Sequence, residues 1–164
     1  MARLGFGTYS LMVSIFLWCI LLGGVVYSHM VYFPAYLSHL PESSVIVNGP
    51  YALDEGVFWM TMHPVVTLSL VIALIANWGM PLRRKLIGVV LVFYIVVQIV
   101  SWLYFIPQLW EFAASPRSDL THEQWLARGN RWQYLSWVRG SSIAIFTVFL
   151  FWALMRPDES DAAG

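Results

Sequence analysis

The sequence predicts an all-α protein: a polytopic membrane four-helix bundle, one transmembrane domain over residues 1–164, with both termini cytoplasmic. Three observations carry this. Hydrophobic residues make up 59% of the chain and charged residues 11%, where a soluble domain carries about a quarter charged. The mean hydropathy is +0.68. Four apolar segments are each long enough to cross a hydrocarbon core of about 30 Å, which takes roughly 20 helical residues. In lipid the backbone must satisfy its own hydrogen bonds, so these segments read as helices.

The first helix is expected over residues 9–36. The run MARLGFGTYSLMVSIFLWCILLGGVVYSHM is too long for the apolar core of a signal peptide, and no A-x-A-like site closes it. It reads as a retained span. The second helix is expected over 55–77, stopped by Asn77-Trp78-Gly79-Met80-Pro81, and the third over 85–106, stopped by Pro107. The fourth has its apolar stretch at 134–155. Thr121 with Gln124 fits a capping box, which starts this helix early, near residue 122. Cys19, the single cysteine, reads as a small buried apolar residue. No internal repeat is apparent.

Arg83, Arg84 and Lys85 fill the short connection between the second and third helices. Arg3 precedes the first helix and Arg156 follows the fourth. Positive charge marks the cytoplasmic side. The other connections, 37–54 and 107–130, then face outward with Glu42, Asp54, Glu111, Asp119 and Glu123; Arg117, Arg128 and Arg131 soften the contrast. The membrane expected is a plasma (inner) membrane. The 37–54 connection is long enough to fold over the outer mouth. Net charge is zero, so no field favours nucleic acid.

Tryptophans crowd the outer end: Trp59, Trp102, Trp110, Trp125, Trp132 and Trp137, against Trp78 and Trp152 at the inner end. An interfacial belt accounts for most of them. The excess on one side also fits an aromatic-lined pocket.

Ionisable groups at membrane depth face the bundle interior or a wet cavity. His29, His63 and Arg139 are such groups, on three helices and all in the outer half. Counted from the outer helix ends, the two histidines are expected at similar depth. Pro64 follows His63, and proline bends a helix by removing a donor and clashing with the preceding turn. The pair predicts a kink that opens a polar pocket lined by the imidazole; ordinary hydrogen bonding between helices is the structural alternative. Tyr94, Gln98, Ser101 and Tyr104 fall on one face of the third helix at spacings of 4, 3 and 3. Arg139 is expected to pair with Asp54 or Glu55, or else to reach the headgroups.

Two segments carry a resemblance. One is LLGGVVYSHMVYFPAYL in the first helix. The other is QWLARGNRWQYLSWVRGSSIAIFTVFLFWAL, which opens the fourth. Together they resemble the anthrone oxygenase-like family of small four-helix membrane proteins, most of unassigned function. Trp125, Asn130, Arg131, Trp132 and Arg139 fall on that family's tryptophan–asparagine–arginine pattern. The resemblance implies oxidation of polycyclic anthrones to anthraquinones by dioxygen. His29 and His63 lie outside the matched pattern.

Two functional classes fit these features. The first is a membrane oxidoreductase, with His63, His29 and Arg139 as catalytic residues. His29 and His63 would be ligands of haem or a transition-metal ion, or an acid/base pair. Trp59, Tyr104, Asn130, Arg131 and Trp132 would line the place of a cofactor or of a hydrophobic aromatic, quinone-like molecule. No HExxH, CxxCH or glycine-rich nucleotide loop is present. The second is a non-catalytic subunit that binds lipid, quinone, a membrane protein partner or further copies of itself. A transporter fits worst, because paired broken helices are missing.

Overall fold

The computed structural model describes residues 5–156. Arg3 and the side chain of Arg117 lie outside that description. Four helices are long and apolar enough to cross a membrane: Phe6–Leu37, Gly56–Ala76, Pro81–Ala113 and His122–Leu154. No strand occurs among the described residues. In chain order, α1 (Phe6–Tyr27) passes through a π-helical turn, Ser28–Tyr32, into α2 (Phe33–Leu37). A short α3 (Val45–Asn48) precedes α4 (Gly56–Ala76). α5 (Pro81–Val100) passes through a second π-helical turn, Ser101–Phe105, into α6 (Ile106–Ala113), and α7 is His122–Leu154. α1 and α5 each pack against both α4 and α7, which closes a four-helix ring. The capping box on Thr121 and Gln124 is formed.

The two π-helical turns share a local sequence, Ser-x5-Pro: Ser28 to Pro34 and Ser101 to Pro107. In each, the next amide reaches five residues back, Phe33 N–H to Ser28 O and Ile106 N–H to Ser101 O. Proline lacks a donor and its ring strikes the carbonyl four residues earlier. A widened turn just before it moves that carbonyl aside and puts the missing N–H where the ladder already changes register. The third helix therefore continues past Pro107, its expected stop, to Ala113. α4 runs unbroken through Pro64, which faces outward.

The helix ends that the charge pattern marks as inner are tied together. Arg83, buried at 3% exposure, donates from Nη1 to Thr8 Oγ1 (2.9 Å) and Asn77 Oδ1 (3.3 Å), and from Nε to the Arg156 carbonyl (3.0 Å). Asn77 Nδ2 donates to the carbonyls of Gly7 (2.9 Å) and Ala73 (2.8 Å). Both ends of the described chain thus lie at this end of the bundle. At 1.5 Å per residue the 33-residue spans are about 50 Å long and the 21-residue span about 32 Å. With the inner ends aligned, the surplus of three helices rises beyond the second span at the outer end.

Two apolar cores fill the bundle. The inner one gathers Leu11, Trp18, Leu21, Leu70, Ile87 and Tyr94 with their neighbours. The outer one holds Phe33, Tyr36, Leu40, Phe105, Phe112 and Trp132. Leu40 belongs to the 37–54 connection, and Ile46 and Val47 pack on the same core. His122 Nδ1 donates to the Leu40 carbonyl (2.8 Å) and Asn48 Nδ2 to that of Ala113 (2.6 Å). The connection therefore covers the outer end as a cap. Cys19 faces outward instead of being buried.

Candidate functional site

Between the two cores lies a polar layer. His29, on the first π-helical turn, is flanked by Val25 of the inner core and Tyr32 of the outer. Ser101, on the second turn, lies between Val97 and Phe105. Ser136 and Arg139 lie between Trp132 and Ile143. The sequence thus changes from apolar to polar and back at one level on three helices.

The layer is one connected set of hydrogen bonds. Arg139 donates from Nη1 to Ser101 Oγ (2.7 Å) and from Nη2 to Ser136 Oγ (3.0 Å). Its guanidinium lies over the Phe105 ring, 4.1 Å from the centroid. Ser136 Oγ is 2.9 Å from His29 Nε2, and His29 Nδ1 is 2.7 Å from the Val25 carbonyl. A carbonyl only accepts, so Nδ1 carries the proton and Nε2 accepts from the Ser136 hydroxyl. Donation then runs one way, from Arg139 through Ser136 and His29 to Val25. Gly140 lets α7 approach closely here: a Cβ on it would stand 2.9 Å from Val25 Cγ1 and 3.6 Å from His29 Cε1.

His63 belongs to a second group. Its Nδ1 is 2.7 Å from the Tyr94 hydroxyl, and Trp59 stacks on its ring at 5.6 Å and 27°. Tyr94 is fully buried, and its hydroxyl proton has no other acceptor among the described residues. It therefore donates to Nδ1, which leaves the proton of neutral His63 on Nε2. Trp59 Nε1 donates to Glu55 (3.3 Å), and Ser28 Oγ donates to the same carboxylate (2.6 Å). Burial pushes the Glu55 carboxyl above its ordinary range, while the Ser28 and Trp59 hydrogen bonds pull it back.

The Ser28–Glu55 contact sets the register between the first two spans. Their chains run in opposite directions, so His63, eight residues beyond Glu55, lies about 12 Å deeper than the level of Ser28 and His29. The expected equal depth fails because the first helix outlasts the second at the outer end. Both nitrogens of His29 are also engaged. As arranged, the two imidazoles do not fit as joint ligands of one metal ion or haem iron. Among the described residues no three His, Cys, Asp or Glu side chains converge as a metal site.

Arg139 departs from expectation in its partners. No carboxylate pairs with it among the described residues; Glu55 is taken by Ser28 and Trp59. The stripe on the third helix holds for Tyr94, Gln98 and Ser101, with Gln98 Nε2 donating to Thr67 Oγ1 (3.1 Å). Tyr104, beyond the π-helical turn, is half-buried against the outer core, and its neighbour Phe105 takes the buried place. Trp132 is fully buried in the outer core and donates from Nε1 to the Phe105 carbonyl (3.1 Å). Asn130 and Arg131 are exposed on the outer part of α7, away from the layer. The outer tryptophans divide accordingly. Trp125 and Trp132 build the core, whereas Trp102, Trp110 and Trp137 face outward. Two surface clefts, at Arg84–Phe93 on α5 and around Asn48, Trp110 and Pro116, do not touch the layer.

Fold and composition together define a multi-pass helical membrane protein with a polar layer in the half of the bundle away from the ends of the described chain. Comparison with protein-family models, curated proteins and solved structures finds no match. Of the residues on the anthrone oxygenase-like pattern, Trp125, Asn130, Arg131, Trp132 and Arg139, only Arg139 reaches the layer.

Proposed function

We propose that the protein resides in a plasma (inner) membrane with the 83–85 loop in the cytoplasm. Its outer half binds a flat, weakly acidic aromatic molecule of the anthrone or quinone type and oxidises it with dioxygen. The observation that carries this reading is Arg139, a fixed cation at membrane depth whose partners among the described residues are all neutral. Charge is costly there unless compensated. A guanidinium without a counter-ion favours an anion arriving beside it.

An anthrone gives up a proton to form such an anion, which dioxygen oxidises directly. Arg139 lowers the free energy of the anion. Ser136 and His29 provide the route for the proton: the Ser136 hydroxyl already donates to the lone pair of His29 Nε2, so it can accept a proton as it passes its own on to His29. In the net reaction a ring CH2 becomes C=O. One oxygen atom enters the product, and the other leaves as water with the two hydrogens. His63 offers its Nε2–H deeper in the bundle. No metal or haem enters this scheme.

A second reading is a non-catalytic subunit for lipid, quinone or a partner protein, in which the layer only joins the helices. That both nitrogens of His29 and both terminal nitrogens of Arg139 are already hydrogen-bonded within the layer favours that reading. Dioxygen consumption by the purified protein with anthrone separates the two. Catalysis is supported by uptake of one dioxygen per anthrone, slowed at least tenfold in Arg139→Gln and His29→Gln. A rate equal to the protein-free blank leaves the subunit reading.

A further inference from the structure

The cleft on α5 is a different site, independent of the polar layer. Arg84, Lys85, Gly88, Val89, Val92 and Phe93 line it. These residues form two adjacent helical ridges, 84-88-92 and 85-89-93, each stepping by four. The furrow between them runs nine residues, about 13 Å along the axis. That is close to the depth of one leaflet of a hydrocarbon core about 30 Å thick.

One end of the furrow is cationic and the rest apolar. Lys85 is exposed. Arg84 is held at the mouth: its Nη1 donates to the Trp78 carbonyl (3.3 Å) and its guanidinium lies over the Trp78 ring at 5.0 Å. Gly88 makes the floor. A Cβ there would meet only Leu74 Cδ1, at 3.8 Å, so any larger side chain would project into the furrow. Phe93 closes the deep end, stacked on Phe146 with centroids 3.8 Å apart.

We propose that this furrow is a binding site for an anionic phospholipid of the bilayer. The phosphate sits between Arg84 and Lys85, and one acyl chain lies over Gly88 along Val89 and Val92 to Phe93. Length, polarity and position match one lipid: a negative headgroup at the interface and a chain one leaflet deep. A zwitterionic lipid offers the same chain without the net charge.

The test uses the full chain in mild detergent. It is titrated with phosphatidylglycerol or with phosphatidylcholine of the same acyl chains, and bound lipid is counted by native mass spectrometry. The expected result is a preference for phosphatidylglycerol of about fivefold for each cation engaged. That preference is expected to vanish in Arg84→Ala/Lys85→Ala. In Gly88→Leu the cations remain but retention of phosphatidylglycerol is expected to fall, because the furrow is filled. Helicity by circular dichroism checks each variant; if Gly88→Leu loses it, Val92→Trp fills the same furrow from its lipid-facing wall. Equal uptake of both lipids by the wild type overturns the site. So does a preference that survives the double substitution, and undiminished retention in the filled-furrow variant overturns the acyl seat.

Discussion

Replacing Arg139 by methionine separates a guanidinium kept for function from one kept for stability. The substitution removes a half-buried cation and leaves an unbranched apolar chain of similar length. The structure gives the terms on each side. One bond between helices is lost, to Ser101, and one within α7, to Ser136. Polar contacts between membrane helices are worth about 0.6–1.7 kcal/mol each, so the two together contribute about 1–3 kcal/mol. The contact with the Phe105 face adds about 1 kcal/mol. Neither serine is orphaned, since Ser101 still donates to the Val97 carbonyl (2.7 Å) and Ser136 still donates to His29. Against these losses stands relief of the cost of an arginine in the membrane, about 2.5–3.5 kcal/mol at mid-depth and less toward the surface. The sides nearly cancel, so unfolding in a sodium dodecyl sulfate titration is expected within about 2 kcal/mol of wild type. A loss above about 3 kcal/mol would refute the reasoning. It would mean that the guanidinium is a compensated structural tie and that its charge is not spare.

Four further outcomes are expected from the packing and charge. In the Gly23-Gly24 pair, Gly24→Ala is expected to cost about 1–3 kcal/mol by overpacking, because its Cβ would stand 2.5 Å from Phe58 Cε1; Gly23→Ala meets nothing within 4 Å and is expected to be no less stable, so the two melting temperatures check the α1–α4 contact. Tyr94→Phe removes the donor to His63 Nδ1 and is expected to cost about 1–3 kcal/mol in the same denaturant titration. Asn77→Leu deletes the bonds to Gly7 and Ala73 and an acceptor for Arg83, and an earlier unfolding midpoint by about 1–3 kcal/mol is the expected reading. The Glu55 carboxyl is raised above the ordinary value of 4.5 by burial. Its contribution is therefore fully present below that value and is lost as pH rises through the raised one. A melting curve that declines over this window in wild type, and is flatter in Glu55→Gln, is the expected result.

The spans and the inward face of the third helix were legible because lipid imposes length and periodicity. His29, His63 and Arg139 were legible because ionisable groups stand out in apolar helices. Their grouping was not. Depth counted from the outer helix ends misleads, because those ends are not level: the first helix rises beyond the second, so Ser28, not Tyr36, stands opposite Glu55. The π-helical turns were not legible either, although Ser-x5-Pro occurs twice before an outer helix end. Pro107, which reads as a stop, and Pro34, inside the expected first helix, are each accommodated by a widened turn. Tyr104 does pack on the outer core, but only half-buried, beside the buried Phe105. Asn77 and Arg83 carried only local signals, a helix stop and a loop cation. Their joint role at the inner end needs the first and fourth helices brought beside them, which no short stretch of sequence encodes.

The central claim is that Arg139 stands ready for an aromatic anion. The most direct measurement is a visible-absorbance titration of a hydroxyanthraquinone into the purified protein across pH, in wild type and in Arg139→Met. The phenol and its anion differ in colour, so the spectrum reads the ionisation of the bound ligand. Wild type is expected to bind the anion and to lower the ligand's apparent pKa by at least one unit, with the shift abolished in Arg139→Met. Binding of the neutral phenol with equal affinity by both proteins, or no binding by either, would contradict the account.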